Sequence, residues 1–327
     1  MRMELSLSKK KTLFPYSMKQ SLSGPGKRRL LLISIQGLTS MRHLFEMAWH
    51  DKLVSDKSIL HFINAQRNFV KNSNKIDVYD TLLKRQYLQG VLFNKKPNKV
   101  MNHNLEGYTL YDCARVIGPV AVYHTIREAI DFNPSISLLV LKNLHNPIDM
   151  AFHLGFLTER EYLCLMLQAT TPVMSYGTVY KKLVGNNLIG IATPYHSGPI
   201  LVDCSLGETA VRNIMYSIDT EEIYYDKNHV VDVNGIPFTS PKAALATGTI
   251  KSIGRHKGGA IALGIQLLLA AMSGTVLRNN AQTLDIDGEN SLFLLLIKSS
   301  PALNRILTAQ LEDIFKENVY VPGRRNQ

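Results

Sequence analysis

Several common markers of nucleotide and metal chemistry are missing from this chain of 327 residues. There is no GxGxxG dinucleotide fingerprint and no Walker A loop, and the nearest approach, Gly185 to Gly190, has the wrong glycine spacing. Cysteine is scarce: Cys113, Cys164 and Cys204 lie far apart, each in apolar surroundings and none in a CxxC pair. That usage argues against a disulfide framework and predicts three reduced core residues of an intracellular protein. No His or Cys cluster has zinc spacing, and His145 and His153 stand eight residues apart, so no metal site is expected. No apolar run approaches the roughly 20 residues needed to span a bilayer. The longest candidate, Ala260 to Ser273, has the length of a core helix, and no membrane partner is expected.

What is present suits a chain with a real core, at 45% hydrophobic and 19% charged. The net charge of +11 is unevenly spread: residues 1–38 hold eight Lys and Arg against Glu4 alone, which leaves +4 for the remainder. The basic character therefore belongs mostly to a tail, and the body gives no reason to expect nucleic acid as a partner. The tail reads as a disordered basic extension of a cytoplasmic protein, or alternatively as an organelle import signal, being rich in Ser, Lys and Arg and poor in acids. A second basic run interleaved with aromatics, from Lys84, Arg85 and Tyr87 through Phe93 to Lys95, Lys96 and Lys99, reads as a solvated loop. Stacking on a single-stranded nucleic acid is the competing reading.

Periodicity predicts a helical unit first, from Ser40 as cap through Met41, Leu44, Phe45, Ala48 and Trp49, with a second helix over Asp56 to Asn68. After Gly107 the texture alternates. Helices are predicted over Pro119 to Ile130 and Asp149 to Phe156, and strands over Ser137 to Leu141, Tyr162 to Gln168, Leu188 to Ala192 and Ile200 to Ser205. Thr158 to Glu161 matches a capping box, yet the apolar run after it has strand length, so the match is read as accidental. A turn is predicted at Asp232 to Pro237, a long helix from Lys257 to Ser273 capped by Gly274, a buried strand at Ser291 to Lys298 and a last helix at Pro301 to Phe315.

The stretch from Lys251 to Gly274 joins a glycine-rich basic loop to that long helix. Gly254, Gly258 and Gly259 would let the backbone approach a ligand, free N–H groups and the helix dipole favour an anion, and Arg255 and Lys257 add positive charge. A tight loop before a buried helix, with both cations solvated, explains the same residues.

Six segments in fixed order then resemble the type 2 malate/L-lactate dehydrogenase family, non-Rossmann NAD(P)-dependent oxidoreductases, from about Met41 to Arg325. Lys142, Asn143, Leu144 and His145 resemble an Asn-rich turn ending in His, and Val184 to Asn187 with Pro194 resembles a Gly-Thr-Asn-Pro segment. Leu201 to Ser205 resembles an Asp-Met-Ala-Thr-Ser strand, and Pro237 to Pro241 a Pro-Thr-Thr-Asp-Pro turn. Gly254 to Gly259 resembles a Lys-Gly loop, and Val321 to Arg324 a terminal Pro-Gly-Glu-Arg.

The resemblance implies an α+β protein in four parts: a basic extension over 1–38, a helical module over 39–106 completed by the C-terminal helix, a domain over 107–274 that binds NAD or NADP on a mostly antiparallel sheet, and a C-terminal strand, helix and tail over 275–327. It implies a homodimer and hydride transfer between nicotinamide and a small 2-oxo/2-hydroxy acid or imino acid. His145 stands at the position of a family acid or base; as a bare feature it is a structural or solvated loop histidine. Asp203 is either a buried hydrogen-bonding carboxylate or a site residue orienting an imidazole or ribose. Thr170, Asn187, Asp203, Arg255, Lys257 and Gly258 are the implied cofactor contacts. The family's Ser-His-Gly-x-x-Arg segment falls on Asn72, Ser73 and Asn74 with Asp77 on its arginine, or one residue later with Ser73 on its serine and Asn74 on its histidine, or, with a long insertion, on Ser40, Met41 and Arg42; none of these placements restores the histidine. Ser73 and Asn74 are thus the candidate substrate contacts of an altered pocket, or marks of a homologue that has lost turnover.

Overall fold

The computed structural model describes residues 95–100, 107–147, 149–196, 198–220, 222–275, 290–316 and 321–322, with Ala65 and Gln86. The expected N-terminal extension lies outside the described residues, as do Ser73, Asn74 and the rest of the expected helical module apart from Ala65, Gln86 and 95–100, of which Asn98–Lys99 form a strand instead.

In chain order the elements are β1 (Asn98–Lys99), β2 (Thr109–Asp112), α1 (Gly118–Asp131), β3 (Ile136–Leu144), α2 (Met150–Thr158), β4 (Tyr162–Ala169), β5 (Pro172–Tyr176) and β6 (Val179–Gly185). They continue as β7 (Leu188–Thr193), β8 (Ile200–Ser205), α3 (Val211–Thr220), β9 (Val230–Val231), α4 (Pro241–Thr247), β10 (Thr249–Ile250), α5 (His256–Ser273), β11 (Asn290–Lys298) and α6 (Pro301–Lys316). Among the described residues they form a mixed α/β fold with two sheets, one of seven strands ordered β1-β2-β3-β11-β4-β7-β8 and one of four ordered β6-β5-β10-β9. In the larger sheet only β2 and β3 run parallel.

The larger sheet is covered on both faces. On one side α1 and α2 pack Val120, Ile126, Leu154 and Leu157 against Leu141, Met166, Leu292, Leu294 and Leu296. On the other, Leu167, Ile189 and Phe293 meet a second core built by α3, α4, α5 and the small sheet, with Ile214, Ala244, Ala262 and Leu269 at its centre. Period-2 alternation serves both cores at once, since successive residues of β4 and β11 point to opposite faces. The sheet also reaches beyond 107–274: β11, drawn from the expected C-terminal segment, pairs with β3 on one side and β4 on the other.

Predicted and observed elements agree at Ile200–Ser205 and along α5, whose C-terminus is closed by Gly274 at φ +68° as expected. Tyr162 to Ala169 is a strand, and Thr158 ends α2 instead of capping a new helix. Three differences have physical causes. Strand β3 runs past Leu141 to Leu144 because the register against β11 slips between Asn290 and Leu292, with Asn143 at φ +53° and its side chain donating to Asp112 Oδ1 at 3.0 Å. Asn tolerates that left-handed conformation, which most side chains resist. The β5–β6 hairpin turns at Gly177, φ +62°, in a stretch without a continuous apolar run to announce it. Cys204, expected in the core, is exposed, because alternation along β8 turns it away from the face that buries Leu201; Cys113 and Cys164 are buried as expected.

A glycine lets α2 lie on the sheet. A Cβ at Gly190 would come within 2.5 Å of Met150 Sδ and 2.8 Å of Leu154 Cδ1. Gly190→Ala is expected to cost about 1–3 kcal/mol through this overpacking, measured as a lowered midpoint of thermal or urea unfolding; an unchanged midpoint would mean that α2 does not press on β7.

Candidate functional site on one rim of the sheet

Strand register gathers the ends of three strands, β3, β4 and β8, and the starts of two, β7 and β11, along one rim. Asn290 opens β11 opposite Leu144, the residue before His145, while Ser291 lies opposite Ala169, the residue before Thr170. Gln168 pairs with Leu188 at the start of β7, and Leu188 in turn with Ser205 at the end of β8. Ligand sites commonly gather where strand ends leave backbone and side-chain groups facing a crevice.

A cavity of about 140 Å³ opens there, lined by Asn146, Pro147, Gln168, Thr170, Thr171, Asn186, Asp203, Ser205, Arg212 and Asn290 together with apolar Met150, Val173, Leu188 and Val211. Drug-sized ligands fill pockets of about 300–1,000 Å³, so this cavity suits one ring or a small acid better than a whole dinucleotide. Its walls can donate and accept hydrogen bonds around an apolar floor. Asp203 and Arg212 are the acid and the cation among the lining residues.

Asp203 is held at the N-terminus of α2, where its Oδ2 accepts the N–H of Ala151 at 3.1 Å, and Asp149 caps the same helix by accepting from Phe152 N at 3.1 Å. Both carboxylates oppose the positive end of the helix dipole. Thr170 is fixed by the paired asparagines after β6: its N–H donates to Asn187 Oδ1 at 2.9 Å and its hydroxyl to Asn186 Oδ1 at 3.0 Å. Asn187 is fully buried and spends its own amide on the carbonyl of Ala262 in α5, at 2.7 Å. It stands behind the cavity wall, which Asn186 lines in its place.

The loop after β3 is clamped from three sides. Buried Gln86 donates to the carbonyl of Asn146 at 2.9 Å and accepts the N–H of Gly118 at 3.0 Å. Gly118 itself is required, since a Cβ there would collide with the carbonyls of His145 and Asn146. Below, His153 Nε2 lies 3.3 Å from the carbonyl of Pro147 and serves as its donor. His145 is thereby fixed next to Asn146 and Pro147, although the cavity lining begins with Asn146.

The Lys251 loop is arranged differently from the sequence expectation. The N–H of Lys257 donates to Gly254 O at 3.3 Å, that of Gly258 to Ile253 O at 3.0 Å and that of Arg255 to Ser252 O at 3.1 Å, so these donors are already engaged. Gly258 is buried, and a Cβ on it would strike Ile253; a Cβ on Gly259 would strike Tyr176. Those two glycines serve packing inside the protein, while Arg255, at φ +57°, and Lys257 project exposed side chains. Neither cation lines the cavity, but the loop reaches β8 through Glu208 N to Lys251 O at 2.8 Å and Ile253 N to Leu206 O at 3.0 Å.

Asp203 and Thr170 are the sequence-predicted residues brought into one cavity. Asn146, Gln168, Asn186, Ser205, Arg212 and Asn290 were missed. Asn186 and Ser205 lie inside motifs that the sequence displays, whereas Asn290 and Gln86 take their places only through pairings across the chain. Of the basic run, Lys95 donates to Ala114 O at 3.0 Å and Lys99 lies 3.7 Å from Glu128.

The sequence profile described as malate/L-lactate dehydrogenase matches residues 80–325. The chain belongs to the malate/L-lactate dehydrogenase family. Among curated proteins it is 30% identical over 179 residues to the (2R)-3-sulfolactate dehydrogenase (NADP(+)) of Chromohalobacter salexigens, covering 51% of this chain and 52% of that one. It is 31% identical over 110 residues to the Δ1-pyrroline-2-carboxylate/Δ1-piperideine-2-carboxylate reductase of Pseudomonas putida, covering 33% and 32%. The chain thus spans about half the length of the first relative and a third of the second. Its fold matches the solved Δ1-piperideine-2-carboxylate reductase of Pseudomonas syringae pvar. tomato with a TM-score of 0.65 over 80% and 81% of the two chains, at 17% identity.

Burial of His153 makes the family fold sensitive to acid at this loop. Complete burial pushes its pKa down to about 4, against a smaller opposing effect from the Pro147 carbonyl. The unfolded chain, with a histidine pKa of about 6.5, binds a proton from there downward while the folded one does not. Stability is therefore expected to fall as the pH drops from about 6.5 to about 4, by about 3 kcal/mol from this residue. Urea unfolding across that window checks it, with His153→Gln expected to flatten the slope.

Proposed function

We propose that the protein is an NAD(P)-dependent oxidoreductase acting on a small 2-oxo/2-hydroxy acid or cyclic imino acid. The observation that carries the reading is the rim cavity, where Asp203 and Thr170 meet a ring of neutral donors and acceptors beside the clamped His145 loop. Membership of the family supports it, as do the two curated relatives, whose names give an NADP(+)-dependent 2-hydroxy acid dehydrogenase and an imino acid reductase. A bound nicotinamide supplies or accepts the hydride.

In this reading His145 holds the proton exchanged at the substrate oxygen or nitrogen, and Asp203, fixed on α2, orients it or a ribose hydroxyl. Thr170 contacts the coenzyme, with Asn187 positioning it from behind the wall. Arg255 and Lys257 meet its phosphates or ribose from the exposed loop, and Gly258 keeps that loop close to α5. Ser73 and Asn74 belong to the altered substrate pocket. The coenzyme domain then consists of 107–274 joined by β1 and β11, and the rest of 39–106 with α6 makes the second module. A cytoplasmic location fits this chemistry. The competing reading, a homologue without turnover, is favoured by the missing histidine of the Ser-His-Gly segment, absent in every placement of that segment on this chain, and by Asp77.

Calorimetric titration with NADH and NADPH is expected to give binding of at least one coenzyme, and absence of binding at millimolar concentration would overturn the proposal. A turnover screen over 2-oxo and cyclic imino acids is expected to find a substrate, with His145→Gln lowering kcat by about 10²–10⁴ while coenzyme affinity stays. Binding without any turnover selects the competing reading.

A homodimer is the proposed assembly. Helix α5 is apolar all round and leaves Ala260, Ile261, Gly264, Leu267, Leu268 and Ala271 exposed along one stripe, where aliphatic residues at helical spacing normally find a partner. A Cβ at Gly264 would meet nothing within 4 Å in one chain. Gly264→Glu is therefore expected to leave unfolding of the chain unimpaired and to halve the mass seen by light scattering; an unchanged mass would remove α5 from the interface.

A further inference from the structure

Arg212 was part of no recognised segment, yet it enters the rim cavity from the first turn of α3. Its Nε is buried and has no hydrogen-bond partner among the described residues. A guanidinium stays charged at any cellular pH, and a buried N–H of a charged group that forgoes its hydrogen bond is costly. Such a group is stable in place when a ligand completes it. The ligand chemistry follows from the donor: a planar fork of N–H groups fits an oxyanion, which it binds through two parallel charge-assisted bonds. The N-terminal turn of α3, through Ala210 and Val211, lines the same wall and adds the positive end of a ten-residue helix.

We infer that Arg212 anchors an oxyanion in the rim cavity. The inference rests on the proposed oxidoreductase reading and deepens it. Asp203, the acid in the lining, repels an anion and is tied to Ala151, so a ligand bearing one negative group is oriented with that group toward Arg212 and away from the carboxylate. The oxyanion comes from one of two sources, the phosphate of a coenzyme or the acid group of a substrate.

The test is calorimetry on full-length wild type and Arg212→Gln, with NADH, NADPH, inorganic pyrophosphate and, in the presence of NADH, pyruvate and methyl pyruvate as probes. At least a tenfold loss of pyrophosphate and coenzyme affinity assigns Arg212 to phosphate. At least a tenfold loss confined to pyruvate, with methyl pyruvate binding unchanged, assigns it to a carboxylate. Losses below tenfold for every probe overturn the inference. Should Arg212→Gln fail to fold, Arg212→Lys replaces it, expected to lose at least fivefold because an ammonium keeps the charge but cannot fork; an unchanged affinity overturns the inference there too. Failure of the oxidoreductase reading is separately visible as wild-type protein that binds neither coenzyme, and the pyrophosphate comparison then still decides on Arg212.

Discussion

The arrangement depends on one strand, β11, which enters the middle of the larger sheet from the far end of the chain. Every residue from Leu292 to Ile297 pairs on both sides, with β3 and with β4. Without it these two strands would face each other across an open gap with unpaired backbone groups, which a buried sheet does not tolerate. Its side chains belong to both cores: Leu292, Leu294 and Leu296 are wholly buried beneath α1 and α2, while Phe293 packs toward α5. Such central insertion makes the contacts non-local, and closure of the sheet must wait until distant segments have met.

The chemistry of the rim follows from the same register. Because β11 begins at Asn290, opposite Leu144 and one step from Ala169, the ends of β3 and β4 are level, and the residues that follow them face one crevice. The slip at Asn143 refines this, since an extra residue in β3 re-aims the chain just before His145. Gln86, Gly118 and His153 then fix the loop's carbonyls, so its geometry is imposed by buried hydrogen bonds and close packing. A rigid support of this kind is what a positioned acid or base requires, because small displacements at a reacting group are costly.

Much of the scaffold was legible because buried strands such as Ile200–Ser205 and Ser291–Lys298 are short apolar runs, and α5 is a long one with a glycine stop. The signal failed where pairing replaced it. Two-residue β9 and β10 carry no pattern of their own, and α3 mixes polar residues with a narrow apolar stripe. For the site, Asp203 and Thr170 could be found because the family resemblance carried them, Asp203 within β8 and Thr170 just after β4, whereas Gln86 was obscured by the basic and aromatic residues around it. Cys204 shows the limit of local composition: its neighbours are apolar, but alternation on an edge strand decides its exposure.

The glycine-rich loop carries the larger lesson about anion recognition in a chain without a glycine fingerprint. Glycine has two uses, to let a ligand approach the backbone and to let the protein approach itself. In Gly258 and Gly259 the second use prevails, with Ile253 and Tyr176 filling the space a Cβ would need. The N–H groups of Arg255, Lys257, Gly258 and Gly259 are engaged within the loop and that of Ile253 with Leu206, so what these residues offer outward is side-chain charge from Arg255 and Lys257. Side chains likewise supply the polar wall of the rim cavity. A phosphate-cradling loop needs glycines at fixed spacing because its donors are backbone groups; a site whose donors are side chains on strand ends and a helix turn needs none. The absence of GxGxxG therefore argues against a backbone cradle here and leaves a side-chain fork as the manner in which an anion would be bound.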